Sequence, residues 1–275
     1  MATNSMTTPN YKVGLGLITC DRVDFFKKSS NSLFKLDCIK IVVDDSENRV
    51  ETLLDKIYTD KPKSGVGKAK NLALNFLLKQ GCEHIFLMED DVEILDEKVF
   101  ELYINASKAT GIKHFNYGLH GNHNLDYLGR PNIRKTINYP NNTRINLYPN
   151  VLGAFSYYHK DVLNKVGLMD ENFYNALEHV DHTYQIIKEG FHPPFRWFAD
   201  VEGSKSYLRD IVPDHQQSKI RSEKDFENTF KKGLDYFIKK NNFSVVQGYG
   251  PSETISSEKE TLECLKNIWK HHHQK

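Results

Sequence analysis

Hydrophobic positions along this chain fall into short runs that alternate with helical stripes. Residues 13–18, 39–43 and 85–88 are nearly continuous apolar runs, the pattern of strands buried on both faces of a parallel sheet. Between the last two runs, Val66, Ala69, Leu72, Ala73, Phe76 and Leu77 recur at helical spacing. They predict a helix over 66–79, with Gly81 placed for a left-handed cap. A helix over 97–109 leads to a strand at 114–117. A strand is expected over 151–158, then a short helix over 160–166 closed by Gly167 and another over 179–189 closed by Gly190. Two amphipathic helices close the chain, one carrying Phe226, Phe230, Leu234 and Phe237, the other Leu262, Leu265, Ile268 and Trp269. Both stripes read as core packing. The alternation predicts an α/β fold with a parallel sheet. Residues 118–150 differ in kind: rich in Asn, Gly, Pro and Tyr and weakly periodic, they read as a binding loop or lid rather than a linker.

Charge narrows the function classes. Lysine and arginine total 37 against 36 acidic residues, so the basic surplus of a nucleic-acid or anionic-membrane protein is absent. No run approaches the roughly 18 apolar residues of a membrane span, and the first ten residues hold no apolar signal-peptide core. Cys20, Cys38, Cys82 and Cys264 show no CxxC spacing, which argues against a zinc site or disulfide framework and for a reducing, cytoplasmic setting. The 275 residues suffice for one large domain or two modest ones.

Candidate chemistry gathers where the strands end. In open α/β sheets ligands bind outside the carboxyl ends of the strands. The run 85–88 passes straight into Glu89-Asp90-Asp91, three carboxylates that repel one another unless something neutralises them. Alternation along an extended chain points Glu89 and Asp91 one way and Asp90 the other. Oxygen ligands of this kind suit Mg2+ or Mn2+, which keep open positions for substrate phosphates; the plainer reading is a solvated acidic turn. A second cluster, Glu178-His179-Val180-Asp181-His182, opens a helix and places Glu178, Asp181, His182 and Gln185 on one face. First-turn acids are favoured by the helix dipole, which accounts for the carboxylates but not for the histidines. The alternative is a general base for an attacking hydroxyl. Gly65-Val66-Gly67-Lys68 at a helix start suits an anion but is not a Walker loop, and Gly14-Leu15-Gly16 lies inside a strand without a third glycine. Asp44-Asp45 adds two further acids at the end of the second run.

In this order the pieces resemble a family 2 type glycosyltransferase with the GT-A fold. Thr19-Cys20-Asp21-Arg22 is similar to the family's TYNR segment, residues 41–46 to IVVDDGS and residues 65–71 to GxxxARN. Glu89-Asp90-Asp91 stands at the place of the DxD motif. Gly153-Ala154-Phe155 and residues 166–171 resemble GA…VGGFDE, and residues 178–181 fall where EDxD is usual. The resemblance implies a Rossmann-like, mostly parallel central sheet flanked by helices. It gives a catalytic domain over 1–215, with a nucleotide-sugar half at about 12–105, an acceptor half at 110–215 and a helical extension at 216–275. It further implies metal-dependent, inverting transfer from a nucleotide-sugar, a UDP-sugar foremost, to a glycan or other hydroxyl. Thr19, Asp21, Arg22, Asp44, Asp45, Gly65, Lys70, Asn71 and Asp90 would contact the donor; Glu89 and Asp91 would hold Mn2+ or Mg2+, with His215 as a late ligand. The chain departs from the pattern in beginning the metal motif with Glu, and in placing His179 where the family's aspartate base stands. Glu178, His179 and Asp181 are then rival bases. A carboxylate is favoured, because neutral imidazole is only partly available if its pKa climbs beside acids. Within the irregular segment, His120, His123, Arg130, Arg134, Tyr139 and Arg144 suit a sugar or phosphorylated acceptor, though a solvated loop accounts for them equally well, and Trp197 with the tail helices suits the acceptor side or an oligomer interface. Two other classes compete: a sugar nucleotidyltransferase, which would carry a glycine-rich basic loop directly after the first strand, and a non-catalytic carbohydrate-binding module, which needs no acids at strand ends.

Overall fold

The computed structural model describes residues 11–211 and 224–274. Strand β1 (Val13–Thr19) runs parallel to β2 (Ile39–Asp44) on one side and β4 (His84–Glu89) on the other, with β3 (Lys56–Tyr58) parallel beyond β2. Antiparallel β9 (Phe155–His159) follows β4, and β6 (His114–Asn116) closes the six-stranded sheet in the order β3-β2-β1-β4-β9-β6. Registers keep the strand ends level: Thr19 lies beside Asp44, and Ile18 beside Glu89. The acidic segments after β2 and β4 therefore emerge at one edge.

Alternation along the strands sorts the core into two layers. Leu15, Leu17, Val42, Phe86 and Met88 face helices α1 (Val23–Leu33) and α3 (Lys98–Thr110). Ile41, Val43, Ile85 and Leu87 face α2 (Val66–Lys79). Leu74 and Leu77 of α2 are fully buried, each stabilising the fold by about 1.5–3 kcal/mol. The strand glycines serve this contact, since a Cβ on Gly16 would stand 2.6 Å from the Ala73 Cβ and one on Gly14 2.7 Å from the Cys82 Sγ. Gly81 takes the left-handed conformation beyond α2, at φ +76°. Helix α4 (Lys160–Val166) ends at Gly167, and α5 (Glu178–Lys188) runs on towards Gly190.

Several elements lie outside the sequence expectations. Helix α1 escapes periodicity because Ser29 and Ser30 share its buried face with Phe26 and Leu33. The irregular segment 118–150 contains β7 (Lys135–Asn138) and β8 (Arg144–Tyr148), which build a three-stranded antiparallel sheet with β10 (Phe198–Val201). A second pair joins β5 (Val92–Ile94) to β11 (Leu208–Asp210). Of the strand expected over 151–158, only the part from Phe155 is strand; residues 151–154 run alongside β4 as a loop, with the Ala154 carbonyl accepting from the Glu89 amide at 2.8 Å. The tail helices pack on the body of the molecule. Helix α6 (Phe226–Asn241) sends Leu234 and Phe237 into a core shared with Phe173, Val180 and Phe198. Helix α7 (Glu258–His273) starts at a Ser257–Glu260 capping box and places Leu265 and Ile268 in the α3 layer. Among the described residues, no helix is long and apolar enough to cross a membrane.

Candidate active site

A cleft of about 480 Å³ opens at the carboxyl edge of β1 and β4. One wall carries Arg22, Glu89 and Asp91, another His120 and His123, and a third Glu178 and His179 from the start of α5; Phe25, Val151, Leu152, Phe226 and Phe230 supply apolar lining. The volume falls within the range of sites for small organic ligands. Phe226 and Phe230, expected in the core, line this cleft, and Phe230 also packs against the core that takes Leu234 and Phe237.

The acidic segment after β4 divides as alternation requires. Asp90 turns inward, fully buried, accepting from the Thr19 hydroxyl at 2.6 Å and from the Arg22 guanidinium. Burial pushes its carboxyl up to about 7, against the pull of Arg22. Glu89 and Asp91 face the cleft. Arg22 also donates to Asp91 Oδ2 at 3.1 Å, so one guanidinium holds both aspartates. Burial opposes charge on Asp91, but His120 and Arg22 outweigh it and hold that carboxyl below its usual range. His120 bonds through Nδ1 to Asp210 Oδ1 at 2.9 Å. Burial alone would lower its pKa, yet Asp91 and Asp210 push it up to about 9. Asp91 Oδ1 is buried and, among the described residues, without a hydrogen-bond partner.

That orphaned oxygen bears on a metal. Among the described residues, no three acidic, histidine or cysteine side chains converge to cage an ion. Mg2+ is commonly held by one or two carboxylates together with substrate phosphates, and Asp91 and Glu89 are two carboxylates that line the same cleft. His215, the expected late ligand, lies outside the described residues.

Opposite this edge, Lys70 of α2 is almost fully buried and joins two walls. Its ammonium lies 2.7 Å from Glu89 Oε1 and 3.1 Å from Glu178 Oε1, and donates to the Gly153 carbonyl at 3.2 Å. Burial opposes the charge, but both carboxylates raise the pKa above its ordinary value. The chain reaches Glu178 through a tight turn in which Asn175 and Leu177 take positive φ angles of +53° and +67°, a costly conformation for leucine. Burial pushes the Glu178 carboxyl up, while Lys70 and His179 outweigh it and hold it well below the usual range. His179 Nδ1 sits 3.0 Å from Glu178 Oε1.

Of the helical face formed by Glu178, Asp181, His182 and Gln185, only Glu178 lines the cleft. Asp181 is buried against α6, 2.8 Å from the Lys240 ammonium, with Asn241 and Gln185 donating to its other oxygen. His182 bonds the Gly167 carbonyl at 3.0 Å. The wheel placed these side chains on one face, but α6 covers the part of it that the sequence left open.

No family model matches the chain, and no curated protein matches it. The structure does resemble solved ones. It superposes over 96% of its length on 72% of residues 1–349 of S. aureus TarS, solved with UDP, at a TM-score of 0.52 and 14% identity. Against a longer S. aureus TarS chain it spans 49% of that chain, at a TM-score of 0.50 and 16% identity. It matches GalNAc-T7, solved with UDP, GalNAc and Mn2+, over 94% of its length and 55% of that chain, at a TM-score of 0.52 and 12% identity. The fold is GT-A.

Within this GT-A scaffold, most of the side chains expected to contact a donor have protein partners. Asp44 caps the following turn, accepting from the Ser46 and Val50 amides at 2.9 and 2.7 Å. Asp45 takes the Thr59 hydroxyl and the Ser64 and Gly65 amides. The Val66 amide at the start of α2 donates to Asn175 Oδ1 at 3.0 Å. Asp21, at φ +51°, accepts from the Glu47 amide and pairs with Lys63 at 3.6 Å. Asn71 ties the loop at Met169 and Glu171. Of the six loop residues proposed for sugar, only His120 and His123 line the cleft. Arg130 pairs with Asp126 and Arg144 with Glu202, Arg134 lies over the Trp197 ring, and Tyr139 packs on the core. Trp197 itself anchors the tail, donating to the Ser256 carbonyl at 2.8 Å. Asp210, the partner of His120, gave no signal in sequence because the three-residue strand β11 has no readable period.

Proposed function

We propose that this chain transfers a sugar from a nucleotide-sugar, a UDP-sugar foremost, to a hydroxyl of a glycan acceptor, with Mn2+ or Mg2+ at the edge formed by Asp91 and Glu89. The observation that carries the reading is the buried Asp91 Oδ1, without a hydrogen-bond partner among the described residues, on a side chain that lines the cleft between the acidic strand end and the Glu178–His179 corner. The GT-A fold supports it: TarS was solved with UDP, and GalNAc-T7 with UDP, GalNAc and Mn2+. A divalent cation bound there supplies positive charge to the oxygens of the departing diphosphate. Arg22 keeps Asp91 ionised and fixed, and Lys70 pairs with Glu89 at 2.7 Å, so both carboxylates are held in place before a ligand arrives. Phe25, Phe226 and Phe230 offer apolar faces against which an acceptor ring can rest. A base at the start of α5 takes the proton of the attacking hydroxyl, and attack from the face opposite the diphosphate inverts the anomeric centre. The donor half belongs to about residues 12–105, the acceptor half to 110–215 and the tail to 216–275. Scattered free thiols support a cytoplasmic setting.

Thermal unfolding with UDP, GDP, CMP and TDP, with and without Mn2+, tests this reading. UDP with Mn2+ at a hundred times its dissociation constant should stabilise by about 2.7 kcal/mol. Asp91→Ala should stay folded and lose both that stabilisation and metal-dependent transfer. Full activity in Asp91→Ala, or indifference of the wild type to every nucleotide, rejects the reading.

A further inference from the structure

Three side chains at the start of α5 could act as base, and the geometry separates them. Asp181 is committed to Lys240, Asn241 and Gln185 and is absent from the cleft wall. Glu178 reaches the cleft, but its carboxylate is 4% exposed and one oxygen, Oε1, already accepts from both Lys70 and His179. Lys70 and His179 hold it ionised well below the usual range despite burial, which leaves it a weak proton acceptor. His179 has the opposite character. Its ring is 24% exposed and lines the cleft, and among the described residues its Nε2 has no hydrogen-bond partner. Because an ionised carboxylate only accepts, the 3.0 Å contact to Glu178 puts the proton on Nδ1 and leaves the Nε2 lone pair open. Gly153 fixes the ring, since a Cβ there would stand 2.8 Å from His179 Cγ and 2.9 Å from Nδ1.

We propose that His179, through Nε2, is the group that deprotonates the acceptor, and that Glu178 is the positioning residue behind it. This deepens the glycosyl-transfer reading and rests on it. The hydroxyl proton passes to Nε2 as the oxygen bonds to the anomeric carbon. The bond from that carbon to the diphosphate oxygen breaks, and its electron pair leaves with the nucleoside diphosphate. The imidazolium so formed is held by the Glu178 carboxylate, as in other carboxylate–histidine pairs. The carboxylate preferred from sequence thus acts one step behind the base.

The test is nucleotide release from UDP-glucose, UDP-N-acetylglucosamine and GDP-mannose with Mn2+, where water replaces the acceptor and needs the same base. His179→Ala should lower kcat by about 10²–10⁴-fold. UDP affinity measured by calorimetry should stay unchanged, and added imidazole should restore part of the turnover. Should the alanine variant fold poorly, His179→Asn, which keeps a donor towards Glu178 but no base, should show the same loss. In Glu178→Gln kcat should fall while KM for the donor stays unchanged, because the carboxylate that orients the ring through Nδ1 is gone. Among the described residues, the charged groups lining the cleft with the ring are Glu178 on its own helix, Arg22, Glu89, Asp91 and His120 across it, and Arg196, with Lys70 of α2 between Glu178 and Glu89. Turnover of His179→Ala within about threefold of wild type, or a loss that imidazole leaves untouched, overturns the proposal. If the wild type releases nucleotide from no donor and binds no UDP with Mn2+, the glycosyl-transfer reading itself falls, and this inference with it.

Discussion

Replacing Lys70 by methionine removes a buried ammonium while keeping the length of the side chain. The charge it leaves behind is not solvated: Glu178 is 4% exposed and Glu89 23% exposed, and both lost their partner at 3.1 and 2.7 Å. Removing one member of a buried ion pair costs about 3–5 kcal/mol, mostly through the charge left without compensation. For a chain of this size that corresponds to a fall of about 5–9 °C in melting temperature. The loss should depend on pH with a definite sign. Lys70 is the foremost of the groups that hold the Glu178 carboxyl below its usual range, so without it burial is less opposed and the folded variant takes up a proton more readily than the folded wild type. Lys70→Met should therefore regain stability relative to wild type as pH falls from 7 towards 5. Urea denaturation of both proteins at pH 7 and pH 5 measures the difference. Adding Glu178→Gln should recover part of the loss, as coupling between touching groups requires. A cost below about 1 kcal/mol at pH 7, or one that is the same at both pH values, would refute the claim that this ammonium holds the two walls together.

Other consequences are as direct. Gly153→Ala should cost about 1–3 kcal/mol by crowding His179 and Lys70, whose Nζ would lie 3.1 Å from the new Cβ; it should also lower turnover, and normal activity at normal stability would contradict the packing. Asp181→Asn should reduce stability by about 1–3 kcal/mol through the lost Lys240 pair, leaving kcat within a few-fold, and a large fall in kcat at unchanged melting temperature would return Asp181 to the mechanism. Burial holds His84, His182 and His192 down to about 4. Since the unfolded chain binds these protons first, stability is full above about pH 6.5 and falls as pH drops towards 4, by on the order of 2–3 kcal/mol per residue. Urea midpoints at pH 7.5 and 5 check this, and His182→Gln should flatten the slope.

The sequence was most legible where burial is periodic. The bounds of α2 followed from its apolar spacing and Gly81, and β1, β2 and β4 from runs buried on both faces. Helix α1 was hidden because serines occupy half of its inward face, and β7, β8 and β10 because strands of four or five residues, half-exposed in β7 and buried almost throughout in β8 and β10, show no alternation. At the site, alternation placed Glu89 and Asp91 correctly in the cleft and Asp90 away from it. What remained unreadable were partnerships between distant segments. Nothing local in sequence says that Lys240, 59 residues on, would take Asp181, or that Asp210 would stand behind His120. Asp44 and Asp45 could be read as ligand contacts because the turn amides that occupy them carry no residue-specific signature.

The level strand ends also limit how this protein can change in length. Met88 packs in one layer while Leu87 packs in the other, so deleting a single residue within β4 would send the carboxylates of the cleft towards the apolar interior and lift core side chains out to meet water. The surface turn around Tyr127 and Leu128 carries no such constraint. Insertions and deletions should accumulate in turns of that kind, while the central strands keep a fixed count.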